Sequence, residues 1–158
     1  MKHLFAIIAV LFLASCGFHL KGMQSKHKLP EKNWYIEGGV LQQPLERALL
    51  AASGQIVRTP NSTPAQLRLI AFDSKKDIYT ITRAAKLNEY LLSLRVTVQV
   101  YYNNLAWGEP MIVEIQRVMP YADSMILGKA EEEATIWREI HEDAADQIVR
   151  RLSFLGQP

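Results

Sequence analysis

The chain has 158 residues, 49% apolar and 22% charged, which is enough for one buried core, too short for two, and too apolar for global disorder. Eighteen Lys plus Arg against sixteen Asp plus Glu leave +2, a balance that excludes a nucleic-acid binder working through a whole basic face and confines any anion site to a local patch. One cysteine makes no internal disulfide, and four scattered histidines without Cys partners argue against a structural zinc site.

At the N-terminus, Lys2 and His3 precede an unbroken apolar run of eleven residues, Leu4 to Ala14. That is about half of the ~20 needed to span a bilayer as a helix, so it reads as a signal-peptide core. The run closes in Leu13-Ala14-Ser15-Cys16, which resembles the bacterial lipobox: the thiol is diacylated, the signal is cut off before it, and the new amino group is acylated. The alternative, a buried free thiol after a chance apolar stretch, explains neither its position nor its flanks. Two or three acyl chains, at about 0.8 kcal/mol per buried methylene, hold a protein on a membrane essentially permanently. Gly17 rather than Asp follows the cysteine, which favours outer-membrane sorting. The chain therefore divides into a signal peptide over 1–15, a lipidated Lys-rich tether over 16–32, a single α/β sandwich domain over 33–156 and a short tail at 157–158.

Trp34-Tyr35-Ile36 reads as a short strand closed by Gly38-Gly39. Leu41, Leu45, Ala48, Leu49 and Ala52 follow helical spacing, with Pro44 in the first turn and Gly54 as the stop. Gln55 to Thr59 has the character of a brief strand, and Pro60 to Pro64 is a loop. Three long strands follow. In the first, Ala65 to Thr82, the polar run Asp73-Ser74-Lys75-Lys76-Asp77 predicts a bend or bulge. In the second, Glu89 to Tyr102, Tyr90, Leu92, Leu94, Val96, Val98, Val100 and Tyr102 line one face and largely polar residues the other. Asn103-Asn104 opens a turn, and Met111, Val113 and Ile115 alternate in an antiparallel return strand.

The last element is a long helix. Leu127, Ala130, Ala134, Trp137, His141, Ala144, Ile148 and Leu152 recur every three or four residues, after the cap candidates Asp123-Ser124 and before Gly156. Gly128 within it costs roughly 1 kcal/mol relative to Ala, which points to a close packing contact or a frayed first turn. The order strand, helix, three strands, helix predicts an α+β two-layer sandwich, with two helices on one face of a small mixed, mainly antiparallel sheet.

Catalytic patterns are absent from the sequence. His141-Glu142 is followed by Asp143-Ala144-Ala145 and lacks the second histidine of a zinc-protease motif, so His141 reads as a surface or core-edge residue. Glu131-Glu132-Glu133 falls early in the last helix, where acids complement the helix dipole. No Gly-x-Ser-x-Gly elbow or Gly-rich phosphate loop is present, which argues against an enzyme, and no metal or cofactor is predicted. Trp34, Trp107 and Trp137 read as core or edge packing. Arg83, in the turn between the two longest strands, and Lys129, near the start of the last helix, form a small basic patch for phosphate or carboxylate if both lie at one end of the sheet. If they do not, they are solubilising surface charges.

The Cys16-Gly17-Phe18-His19-Leu20 start, the strand Tyr90 to Tyr102, the segment Met125-Ile126-Leu127-Gly128-Lys129 and the ending Asp143 to Leu152 together resemble the LptE family, lipopolysaccharide-assembly lipoproteins of Gram-negative outer membranes. The resemblance implies a non-enzymatic role as a plug inside the LptD β-barrel, assisting its assembly and delivering lipopolysaccharide to the outer leaflet. It also implies that the lipopolysaccharide-contacting cations are Arg83 and Lys129. A different class of function suits the same elements: a free-standing, lipid-anchored periplasmic domain that binds peptidoglycan or another envelope protein.

Overall fold

The computed structural model describes residues 28–60, 63–83, 86–121 and 126–156. The signal peptide, Cys16, most of the tether and the Asp123-Ser124 cap candidates lie outside the described residues. In chain order the elements are β1 (Asn33–Glu37), a 3-10 turn (Gly39–Leu41), α1 (Gln42–Ala51), β2 (Gln55–Val57), β3 (Ala65–Ile81), β4 (Leu87–Tyr102), β5 (Leu105–Ala106), β6 (Met111–Pro120) and α2 (Ile126–Leu152). The sheet runs β2-β1-β3-β4, and both β5 and β6 pair with the outer edge of β4. β1 is parallel to β2 and β3, whereas β3, β4, β5 and β6 form antiparallel pairs.

β4 is the spine of the fold, and its alternation explains why. Leu92, Leu94, Val96, Val98 and Val100 are all buried beneath the helices, facing Val113 and Ile115 of β6 on one side and Leu67 and Leu69 of β3 on the other. Both helices cover this one face, giving the mixed-sheet, two-helix sandwich that the pattern predicts. Trp34 is fully buried and stacks on Trp107, with ring centroids 6.3 Å apart and planes 7° off parallel. The Trp107 indole donates to the Gly156 carbonyl at 3.2 Å and so ties the chain after α2 to the sheet. Leu29, assigned to the tether by sequence, is buried in this core.

Asn103 and Asn104 both have positive φ, 50° and 64°, as a two-residue hairpin turn between β4 and β5 requires. At the end of α1, Gly54 N–H donates to Leu49 O and Ser53 N–H to Leu50 O, the paired closure of a Schellman motif. Its left-handed residue is Ser53, φ 66°, rather than the expected stop Gly54. Gly54 is needed for space, because a Cβ there would lie 3.0 Å from Leu49 O and from Leu29 Cδ1.

Three expectations are corrected. Asp73 to Asp77 pairs regularly with Leu91 to Arg95, and the register shifts fall instead between Leu69 and Ala71 and around Ile78 to Ile81. Polar side chains do not interrupt the ladder here, since β3 satisfies its backbone against β4 while those side chains reach solvent or ion-pair partners. Of the two readings of Gly128, the close packing contact is the one corrected, because a Cβ at that position would meet nothing within 4 Å. The packed stripe of α2 is also displaced from the expected one. Ile140, Ala144, Ala145, Ile148, Val149 and Leu152 are buried, whereas Ala130 and Ala134 are exposed because the early turns of α2 carry no apolar cover there.

Candidate functional site: the basic end of the sheet

The β3–β4 hairpin is long because both strands continue well past the short β1. Its connection is closed by Thr82 N–H to Lys86 O at 2.7 Å and Lys86 N–H to Thr82 Oγ1 at 3.2 Å. Arg83 stands exposed in this connection, with no carboxylate partner among the described residues.

The end of β6 returns to the same place. Pro120 pairs with Glu89, and Tyr121 N–H donates to Asn88 O at 2.8 Å. Lys129 Nζ then donates to Pro120 O at 2.7 Å and contacts Glu132 at 2.8 Å. The fourth residue of α2 is thereby attached to the strand end that flanks the hairpin connection, so Arg83 and Lys129 share one end of the sheet. They differ in character. Arg83 is an exposed guanidinium without a carboxylate partner among the described residues, while the Lys129 side chain is only 17% exposed and its ammonium is already held by an oxygen on each side. Arg83 thus lies in the exposed turn between the two longest strands, whereas Lys129 is a largely covered residue of the helix start.

The acidic run Glu131-Glu132-Glu133 begins past the first turn of α2, beyond the reach of the helix dipole. Its role is pairing: Glu132 holds Lys129, and Glu133 holds Lys76 of β3 at 2.5 Å. Lys76 also sits over the Tyr90 ring, 4.3 Å from its centroid, and Tyr121 packs edge-on against Tyr90 at 5.6 Å. The Lys76–Glu133 pairing was not readable from spacing, since the two meet only through the docking of α2 on the sheet.

His141 lies elsewhere, in a groove of about 790 Å³ between α1 and α2 lined also by Val40, Pro44, Arg47, Trp137 and Arg138. It is half-buried, edge-on to Phe72 at 5.7 Å, and burial holds its pKa below the usual 6.5. Arg47 in that groove is paired with Glu142 at 3.1 Å. Among the described residues no group of three His, Cys, Asp or Glu side chains could hold a metal ion, and no helix is long and apolar enough to cross a membrane.

Residues 33–152 match the family model described as LptE, lipopolysaccharide-assembly. Two relatives carry the name LPS-assembly lipoprotein LptE. The one from Pectobacterium atrosepticum is 30% identical, over 96% of this chain and 86% of its own length. The one from Yersinia enterocolitica is 33% identical, over 92% of this chain and 72% of its own. Among solved structures, an uncharacterized lipoprotein B from Nitrosomonas europaea superposes with a TM-score of 0.71 at 25% identity, covering 87% of this chain and 90% of that one. A minor lipoprotein from Acinetobacter baumannii shares the fold, with a TM-score of 0.67 at 24% identity over 80% of this chain and 97% of that one.

Proposed function

Because the chain belongs to the LptE lipopolysaccharide-assembly family, we propose that it is a non-enzymatic outer-membrane lipoprotein that takes part in lipopolysaccharide transport. Acylated at Cys16, it occupies the lumen of the LptD β-barrel, assists the barrel's assembly and helps pass lipopolysaccharide to the outer leaflet. The near-neutral charge supports this reading, since a strongly charged plug would lose solvation on entering a barrel unless every charge found a partner.

The observation that carries the lipopolysaccharide contact is the meeting of the Arg83 connection with the start of α2 through the Lys129–Pro120 hydrogen bond. Lipopolysaccharide presents phosphates, and an unpaired guanidinium offers two parallel N–H donors to such a group. Lys129 adds a point charge nearby. Affinity purification of the tagged full-length protein from detergent-solubilised outer membranes tests the reading. A stoichiometric LptD barrel is the expected partner, and mass spectrometry of the purified chain should show residues 1–15 removed and acyl chains on Cys16. Recovery of only a soluble or cell-wall partner, with no barrel, would overturn it.

A further inference from the structure

Three large apolar side chains stand in water at the same end of the sheet. Ile78 is 65% exposed, Tyr79 55% and Ile81 62%. Their exposure has a structural cause. On the helix-covered face of β3 the core stops at Lys76, which lies opposite the fully buried Leu92 and caps it by reaching Tyr90 and Glu133. The next residue on that face, Ile78, lies opposite Tyr90 and beyond the cap. Register shifts between Ile78 and Thr80 and between Thr80 and Ile81 re-aim the side chains that follow. Folding of the described residues leaves these three apolar groups unused.

The chain that leads on from them to β4 carries charge of one sign. Between Asp77 and Glu89 the chain carries Arg83 and Lys86 and no carboxylate. The nearby Glu89 carboxylate is engaged by Thr80 Oγ1 at 2.7 Å, and an apolar tip that leads into two cations complements a molecule that joins anionic groups to hydrocarbon. A protein surface of ordinary composition would leave the two cations of the connection unexplained, and a free phosphate would leave the isoleucines unexplained.

We propose that Ile78, Tyr79 and Ile81 contact the acyl chains of the lipopolysaccharide whose phosphates are held at Arg83 and Lys129, so that this end of the sheet reads the amphiphile as a whole and not its charge alone. The proposal rests on the lipopolysaccharide reading given above. Tyr79 suits the boundary between the two zones, with an apolar ring and a hydroxyl for the polar side. Lys76, engaged with Glu133, separates this ligand surface from the protein core.

The test measures binding of the full-length protein to intact lipopolysaccharide, to the same material freed of acyl chains by alkaline hydrolysis, and to phosphatidylglycerol vesicles. Wild type should bind the deacylated form at least roughly tenfold more weakly than the intact form, as expected when two or three side chains lose apolar contact. The Ile78→Ser, Ile81→Ser variant should bind intact lipopolysaccharide about as weakly as wild type binds the deacylated form, and should match wild type on the deacylated form. Ile78→Leu, Ile81→Leu should restore binding, and Arg83→Glu should weaken both forms. Because the replaced groups are exposed, all variants should melt near the wild-type temperature.

Wild-type affinity of the folded serine variant for intact lipopolysaccharide would overturn the proposal, as would an equal loss on both forms. A loss of vesicle binding in the serine variant as large as its loss of lipopolysaccharide binding would also overturn it, by assigning the tip to a bilayer surface. If wild type bound neither form of lipopolysaccharide, the reading on which the proposal rests would fall first.

Discussion

Lys76 on β3 and Glu133 on α2 meet at 2.5 Å across 57 residues of chain. They join the distal half of the hairpin to a helix turn that carries little apolar cover of its own. The pair is partly shielded, with side chains 35% and 27% exposed, and Glu133 also accepts from the Trp137 indole at 3.4 Å. Glu133→Ala should therefore lower stability by about 1 kcal/mol, and a double-mutant cycle with Lys76→Ala should give a coupling of about 0.5–1 kcal/mol in urea denaturation. A coupling of zero would mean that the two charges act independently.

Ser53 holds a left-handed conformation that costs a residue with a Cβ but costs glycine almost nothing. Ser53→Gly should raise stability by up to about 1 kcal/mol, less the extra freedom that glycine gives the unfolded chain. Gly54→Ala, one residue on, should destabilise through the 3.0 Å contacts with Leu49 O and Leu29 Cδ1. Thermal melts of the two variants moving in the same direction would contradict this division of roles.

His141 gives the fold an acid sensitivity. Burial lowers its pKa in the folded chain below the usual 6.5, so as pH falls past 6.5 the unfolded chain takes up a proton that the folded chain resists. Stability from this group is complete above that value and declines as pH drops toward the folded-state pKa. His141→Gln should flatten the slope of unfolding free energy between roughly pH 7 and 5.5, above the range where carboxylates dominate. An unchanged slope would place the acid sensitivity at other groups.

Arg83 and Lys129 should respond differently to substitution, although both lie at the end of the sheet proposed to bind lipopolysaccharide. Arg83→Glu should leave stability within about 0.5 kcal/mol of wild type, because the residue is exposed and has no carboxylate partner among the described residues, while weakening lipopolysaccharide binding at least roughly tenfold. Lys129→Ala should cost about 1 kcal/mol of stability through the lost bonds to Pro120 O and Glu132, with a smaller effect on binding. Denaturation and binding measured on the same preparations separate the two. A Lys129→Ala protein as stable as wild type would refute the anchoring role.

The strands were the legible part of the sequence, because β4 is packed on one face along most of its length and its alternation records that directly. The α2 stripe was harder to read. Ala130 and Ala134 sit at helical spacing from true core residues, yet the helix start extends past the packed face, so spacing alone placed the stripe too early. The polar run in β3 looked like a break because side-chain character was taken for backbone behaviour, and strand pairing needs only the backbone. Arg83 and Lys129 stood out as cations, but their sharing one end of the sheet depends on the Pro120–Glu89 pairing, a long-range register no local pattern contains. The exposed isoleucines carried no warning, since an apolar residue in a strand reads the same whether or not something covers it.

β1 pairs with β3 only as far as Arg68, and among the described residues no strand flanks β3 on the side away from β4 from Leu69 to Ile81. Over that stretch the amide protons that point toward β4 are bonded and those that point away face solvent. Deuterium uptake along β3 should therefore change character at Arg68. Every amide should be slow before it, and slow and fast amides should alternate after it, with the alternation slipping phase at the shifts near Ile70 and Tyr79. The same half-bare backbone could capture a stray extended chain during folding, and Asp73, Lys75, Lys76 and Asp77 along it are the kind of charges that discourage such capture.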